Sequence, residues 1–181
     1  FSDADLKSAR IETNPLGLPK VQSGGFVLTY HLYRTKSHWA VRCFYRDVPD
    51  LRRRYDAIGR FVKTCADGVF VDATLLQDGI RVGSRYYPII KMAWVEGYPL
   101  NVYIERNISN KDSIAWLPSA FLELANRLQS LGVAHGDLQH GNIMVTDGSL
   151  RLIDYDGLYL PELKGLPNNQ RGHPNYQHPF R

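Results

Sequence analysis

Two short stretches carry side chains at spacings suited to chemistry: His135-Gly136-Asp137-Leu138-Gln139-His140-Gly141-Asn142 and, further on, Ile153-Asp154-Tyr155-Asp156-Gly157. Asp137 offers a carboxylate, Asn142 an amide oxygen, and Asp154 a second carboxylate. Phosphoryl transfer to a hydroxyl needs such a set. One carboxylate orients the attacking hydroxyl or accepts its proton, and hard oxygen donors hold a magnesium ion against the phosphates of a nucleotide. On this reading Asp137, Asn142 and Asp154 are the catalytic residues, with Asn142 and Asp154 as the metal ligands. The same three residues also suit turn caps and a strand end. Two motifs at compatible spacing favour the chemical reading over the structural one.

The elements that must position these residues follow from periodicity. Residues 118–131 place Phe121, Leu124, Ala125, Leu128 and Leu131 on one helical stripe, and Gly132 supplies the stop. The polar loop comes next. Short apolar runs at 143–145 and 150–153 flank Thr146-Asp147-Gly148, which predicts a small hairpin returning Asp154 beside the loop. Earlier, residues 26–33 and 39–44 predict two strands joined across 34–38. Residues 47–62 carry Leu51, Tyr55, Ile58 and Val62 at helical spacing. Strands are expected at 69–76, 79–82 and 87–92, a short helix at 3–11, and a weaker one at 100–106. The chain is thus a strand-rich half with one helix, a connector near 93–97, and a helical half that carries the polar loop.

The first stretch resembles the catalytic loop of the protein-kinase superfamily, H-x-D-x-x-x-x-N, and Asp154-Tyr155-Asp156 stands where that family has its metal-binding D-F-G. Gly172-His173-Pro174-Asn175-Tyr176-Gln177-His178-Pro179 is similar to the G-T-x-x-Y-x-A-P-E end of an activation segment, with Phe180 replacing the Glu. Trp39-Ala40-Val41-Arg42 falls where kinases carry V-A-I-K, so the resemblance gives Arg42 the phosphate-contacting role of the lysine. Arginine keeps the charge but not the compact ammonium. Lys20 is a second candidate for that contact. Gly24 and Gly25 stand for the glycine-rich loop, Met92 for the gatekeeper, and Ala93, Trp94 and Val95 for the adenine-binding hinge. Gln139 occupies the place of the catalytic-loop lysine. The helix at 47–62 lacks the Glu that pairs with the strand lysine, and Asp56 is its nearest substitute. Gly136 replaces the arginine that commonly precedes the catalytic Asp, so activity without activation-loop phosphorylation is expected.

The resemblance implies an α+β, protein-kinase-like fold: an antiparallel N-lobe sheet with one helix over 1–92, a hinge at 93–98, and a partial, mainly helical C-lobe over 99–181. It implies ATP and Mg2+ as cofactors and transfer of the γ-phosphate to a hydroxyl, of a protein by first preference. A pseudokinase that binds nucleotide as a scaffold or regulator is the alternative. Gly136 and Tyr155-Asp156 also match the H-G-D-x-x-x-x-N and I-D-[WY]-[DE] elements of aminoglycoside and choline phosphotransferases, which keeps a small-molecule kinase in view.

Bulk properties narrow the classes. Apolar residues at 44% and charged residues at 22% describe a globular chain, and no run approaches the roughly 18 apolar residues of a membrane span. A net charge of +4 suits an anionic partner, yet the basic residues are scattered except at Arg52, Arg53 and Arg54, so nucleic acid ranks last among the expected partners. Cys43 and Cys65 have no His at metal-ligand spacing, and reduced thiols in a cytoplasmic protein are expected. The chain starts without Met or signal-peptide features and stops in a Pro- and His-rich stretch, so an excised fragment lacking later C-lobe helices is expected.

Overall fold

The computed structural model describes residues 1–65, 68–167 and 172–177. It shows a mixed α+β architecture with two antiparallel sheets. In chain order the first elements are α1 (Ala4–Lys7), β1 (Arg10–Ile11), β2 (Val21–Ser23), β3 (Val27–Arg34), β4 (Ser37–Phe44), α2 (Leu51–Thr64), β5 (Ala73–Val82) and β6 (Arg85–Ala93). Then come β7 (Tyr98–Pro99), α3 (Leu100–Asn107), α4 (Lys111–Ile114), α5 (Leu117–Leu131), β8 (Ile143–Thr146) and β9 (Ser149–Leu152). The chain divides into two units, Phe1–Lys63 with Asp72–Trp94 and Thr64–Val71 with Val95–Arg181.

In the first unit the sheet order is β1-β3-β4-β6-β5, with β2 also on the outer edge of β3. Residues paired directly across strands share a side of the sheet. Leu32, Val41 and Ile89 therefore form one face, closed by Leu6 of α1. Arg42, paired with Ile90, points to the other face, where α2 buries Tyr55, Ala57, Ile58 and Val62. The alternation of β3 and β4 creates both faces at once, because each strand is covered on two sides.

The helix expected at 3–11 is a single turn. Leu6 is drawn into the core and Ile11 pairs with Leu32 as a strand, so tertiary burial overrides the helical spacing. Asp3 caps this turn by accepting the N–H groups of Asp5 and Leu6, each at 3.0 Å. Lys91 extends along the same face to Asp3 at 2.9 Å and Asp5 at 2.7 Å, with its ammonium 5.2 Å from the Trp39 ring. Of the two strands expected at 69–76 and 79–82, residues 69–72 lie outside the sheet and the rest is one strand, β5, with a register shift between Leu76 and Ile80. Asp78-Gly79 is thus a bulge rather than a turn. Glycine is required there because a Cβ would collide with Ile89.

The second unit holds a three-stranded sheet, β7-β8-β9. Asp147 and Gly148 both adopt positive φ, 44° and 74°, the pair of conformations a tight hairpin demands. α5 buries Leu117, Leu124 and Leu128, half-buries Phe121 and Leu131, leaves Ala125 of the expected stripe exposed, and stops at Gly132 with φ 66°, whose N–H closes the last turn onto Gln129 O. Residues 64–71 group with this unit: Leu152 N donates to Val69 O at 2.8 Å, and Phe70 bridges to Leu152. No helix among the described residues is long and apolar enough to cross a membrane. Cys43 and Cys65 are free thiols, and burial pushes the Cys43 thiol up to about 11.

Burial works against the charges of Asp3 and Lys91, but their mutual bonds prevail, holding the Asp3 carboxyl below its ordinary range and Lys91 above its own. The Asp3 contribution to stability is lost as pH falls through its lowered value, and the Lys91 contribution as pH rises through its raised one. Lys91→Met is expected to cost about 1 kcal/mol at neutral pH. The gap from wild type should narrow below about pH 4 and above about pH 10.5. Urea midpoints measured across that range check both limbs.

Candidate active site

Gly132 ends α5 and sends the chain into an extended stretch, where Ala134 and Tyr159 exchange both backbone hydrogen bonds, at 3.2 and 2.7 Å. This close pairing continues to Gly136, whose φ is 81° and where any Cβ would collide with the Gly157 carbonyl. Glycine at 136 is therefore a packing requirement of the loop. Asp137 follows, and a 3-10 turn at His140–Asn142 returns the chain to β8.

Within this loop Asn142 directs its amide Nδ2 to both Asp137 O, at 2.9 Å, and Asp137 Oδ2, at 3.1 Å. Gln139 Nε2 donates to the same Oδ2 at 2.8 Å. His173 N donates to Oδ1 at 2.7 Å. Three donors on a carboxylate with about four acceptor positions leave room for one more hydroxyl. Gln139, at the place of the catalytic-loop lysine, thus also positions Asp137.

Asp154 reaches the loop through the hairpin register. Ile143 pairs with Leu152, and Ile153 N donates to Asn142 O at 3.0 Å, so the residue after Ile153 emerges beside the end of the loop. Asp154 has φ 62°, a left-handed conformation that aspartate tolerates better than most residues and that Asp50 and Asp147 share. Tyr155 holds it in place. Its buried hydroxyl accepts the Val71 N–H at 2.7 Å and lies 2.9 Å from Leu152 O. His135 is buried: Nε2 donates to Ile153 O at 2.8 Å, while buried Nδ1 has no hydrogen-bond partner among the described residues. Burial lowers its pKa, although the hydrogen bond to Ile153 O and the charges of Asp154 and Asp137 oppose this.

The segment Gly172–Gln177, which was similar to an activation-segment end, rests on this loop through more than His173. Gln177 Nε2 donates to Gly136 O at 3.0 Å, and the Tyr176 hydroxyl bonds to His140 Nδ1. His178, Pro179 and Phe180 lie outside the described residues. Sequence reasoning assigned no partners to His173, Tyr176 or Gln177. Their contacts span more than thirty positions, and only the aromatic and amide side chains hinted at them.

Arg42 is buried, and its guanidinium lies 3.4 Å from the Tyr55 hydroxyl. Asp56, the expected acidic substitute, faces solvent and lies 3.7 Å from Arg52, because helical spacing turns residue 55, not 56, toward the sheet. Lys20 is bonded to Glu12 at 2.5 Å rather than free for a phosphate. Gly24 and Gly25 form the turn between β2 and β3, where Gly24 N donates to Val27 O at 2.8 Å and both glycine carbonyls accept from the Tyr45 hydroxyl. Gly24 therefore has no N–H left for a ligand. Met92 is buried on the α2 side of the sheet. Ala93 N donates to Asp72 O and Trp94 N to His38 O, and the Trp94 ring stacks on His31 at 3.9 Å. Val95 is buried in the second unit.

Among the described residues no three His, Cys, Asp or Glu side chains gather as a metal cluster. The set Asp137, Asn142 and Asp154 is two carboxylates and an amide, a donor chemistry that fits Mg2+, which takes one or two carboxylates together with water and phosphate oxygens. Asn142 supports the fit: its NH2 is committed to Asp137, which turns Oδ1 away from that carboxylate.

No family model matches the chain. A stretch of 70 residues, 39% of the chain, is 34% identical to part of a probable bifunctional tRNA threonylcarbamoyladenosine biosynthesis protein from Methanosarcina acetivorans. The match spans 11% of that protein's length.

Two glycines with similar φ separate strain from packing. Gly148→Ala, with φ 74° and open space, should lower stability by about 1 kcal/mol, whereas Gly136→Ala, with the added collision, should cost about 3 kcal/mol. Thermal or urea unfolding of the two variants measures the difference.

Proposed function

We propose that this chain is a protein-kinase-like phosphotransferase using Mg2+ and ATP, with Asp137 orienting the acceptor hydroxyl and Asn142 and Asp154 holding the metal. The observation that carries this reading is the bonded pair Asp137–Asn142, joined through Ile153 to an aspartate held in a left-handed conformation. Asp137 retains acceptor capacity for a hydroxyl, and its fixed orientation by Gln139, Asn142 and His173 supplies the positioning that phosphoryl transfer depends on. Bound Mg2+ would neutralise charge on the phosphates. The partial similarity to a tRNA threonylcarbamoyladenosine biosynthesis protein agrees with a part in enzyme chemistry. A protein hydroxyl is the first choice of acceptor, and a small molecule of aminoglycoside or choline type the second.

The burial of Arg42 against Tyr55 favours a second reading, a pseudokinase that holds nucleotide without turnover. A guanidinium committed inside its own unit is a poor replacement for a lysine that must reach a phosphate.

Mg-ATP at 100 times its dissociation constant should stabilise wild type by about 2.7 kcal/mol. Asp154→Asn should lose most of that shift in a thermal titration. In a radiolabelled transfer assay with protein, aminoglycoside and choline acceptors, Asp137→Ala should slow transfer by about 100-fold or more. A thermal shift without Asp137-dependent transfer would establish the pseudokinase, and no shift at all would end both readings.

A further inference from the structure

Charge divides unevenly between the two units. The first carries fifteen Lys and Arg against eight Asp and Glu, a net of +7, and the second seven against ten, a net of −3. The fold also concentrates cations that are scattered along the sequence. Pairing of β4 with β6 ends at Cys43 and Ile89, so residues 85–87 of β6 run on past β4, paired with β5. Beside them the chain leaving β4 continues through Tyr45, whose N–H donates to Phe26 O at 3.2 Å, and Arg46. The β5–β6 hairpin therefore brings Arg81, Arg85, Tyr86 and Tyr87 to the end of the sheet that already carries Tyr45 and Arg46.

All three tyrosines face solvent, with 50%, 53% and 40% of Tyr45, Tyr86 and Tyr87 exposed. Arg81 stands directly across from Tyr86, so the two share one side of the hairpin, while Tyr87, across from Ile80, and Arg85, across from Val82, share the other. The Arg46 guanidinium lies 5.8 Å from the Tyr45 ring centre. Tyr45 is anchored by its hydroxyl on the Gly24 and Gly25 carbonyls, at 3.1 and 2.8 Å, which holds its ring in a defined place. Asp78 is the one carboxylate between Ala73 and Ala93.

A hairpin end that binds anions by charge alone has no use for exposed rings on both of its sides, and an apolar docking face would not be interleaved with arginines; a flexible strand can pass around such an end and meet both sides. Single-stranded nucleic acid requires both, cations for its phosphates and aromatic faces for its bases. We propose that this end of the first unit's sheet binds single-stranded nucleic acid, with Arg46, Arg81 and Arg85 on phosphates and Tyr45, Tyr86 and Tyr87 as stacking platforms. The site rests on the first unit alone and stands independently of any phosphoryl transfer.

The test is fluorescence anisotropy with the 181-residue chain and labelled oligo-rU and oligo-dT, binding of either one supporting the proposal and their ratio distinguishing RNA from DNA. Three phosphate contacts on a single strand predict binding about 20-fold weaker at 200 mM than at 50 mM salt. The double variant Arg81→Gln/Arg85→Gln should lose most of that salt dependence. Tyr86→Ala should weaken binding by about 5-fold or more. Tyr86→Leu, which keeps apolar bulk on an exposed position, should weaken it likewise, and circular dichroism of each variant should match wild type. The proposal is overturned by no binding at 50 mM salt, by tyrosine variants that bind as wild type does, by equal affinity for heparin, which has no bases, or by preference for anionic lipid vesicles.

Discussion

The amide of Asn142 gives its hydrogens to the main chain and side chain of Asp137, and the second unit's candidate chemistry depends on that bond. It fixes the carboxylate's direction and at the same time decides which way the amide oxygen faces. The bond exists because the loop is gripped at both ends. Upstream, Gly136 lies so close to Gly157 that no side chain fits, and downstream the β8–β9 register brings Ile153 onto Asn142. Buried His135 supports the loop from Ile153, whose carbonyl accepts its Nε2–H, and burial disfavours a charge on the ring.

The first unit is organised by a different constraint, a sheet whose two faces are both covered. Leu6 closes one face, and the charges of Lys91, Asp3 and Asp5 settle each other at its edge. On the other face Arg42 lies among the residues buried by α2, with Tyr55 beside it. The same alternation that buries these groups sends the uncovered end of the β5–β6 hairpin, with its arginines and tyrosines, out to solvent.

Much of this was legible in the sequence wherever a signal was local. The β3–β4 hairpin, α2, the α5 stripe with its Gly132 stop and the β8–β9 turn each follow from periodicity or turn chemistry within a dozen or so residues. The loop around Asp137 was legible as a candidate because its residue types and spacing are themselves the signal. The failures were contextual. Residues 3–11 have helical spacing, but Leu6 and Ile11 serve different elements, and the Asp78-Gly79 pair reads as a turn although Gly79 only makes room for Ile89.

By itself the sequence determined the elements whose signals are local, β3, β4, α2, α5 and the β8–β9 hairpin, and the presence of two carboxylates and an amide at loop and hairpin ends, since backbone propensity and side-chain chemistry are written residue by residue. Tertiary structure decided what those residues touch: that Gln139 and His173 hold Asp137, that Tyr55 rather than Asp56 meets Arg42, and that Lys20 is committed to Glu12. The reason is that a hydrogen bond needs atoms about 3 Å apart, and separations of that size between distant positions arise only once strand register and packing have been set.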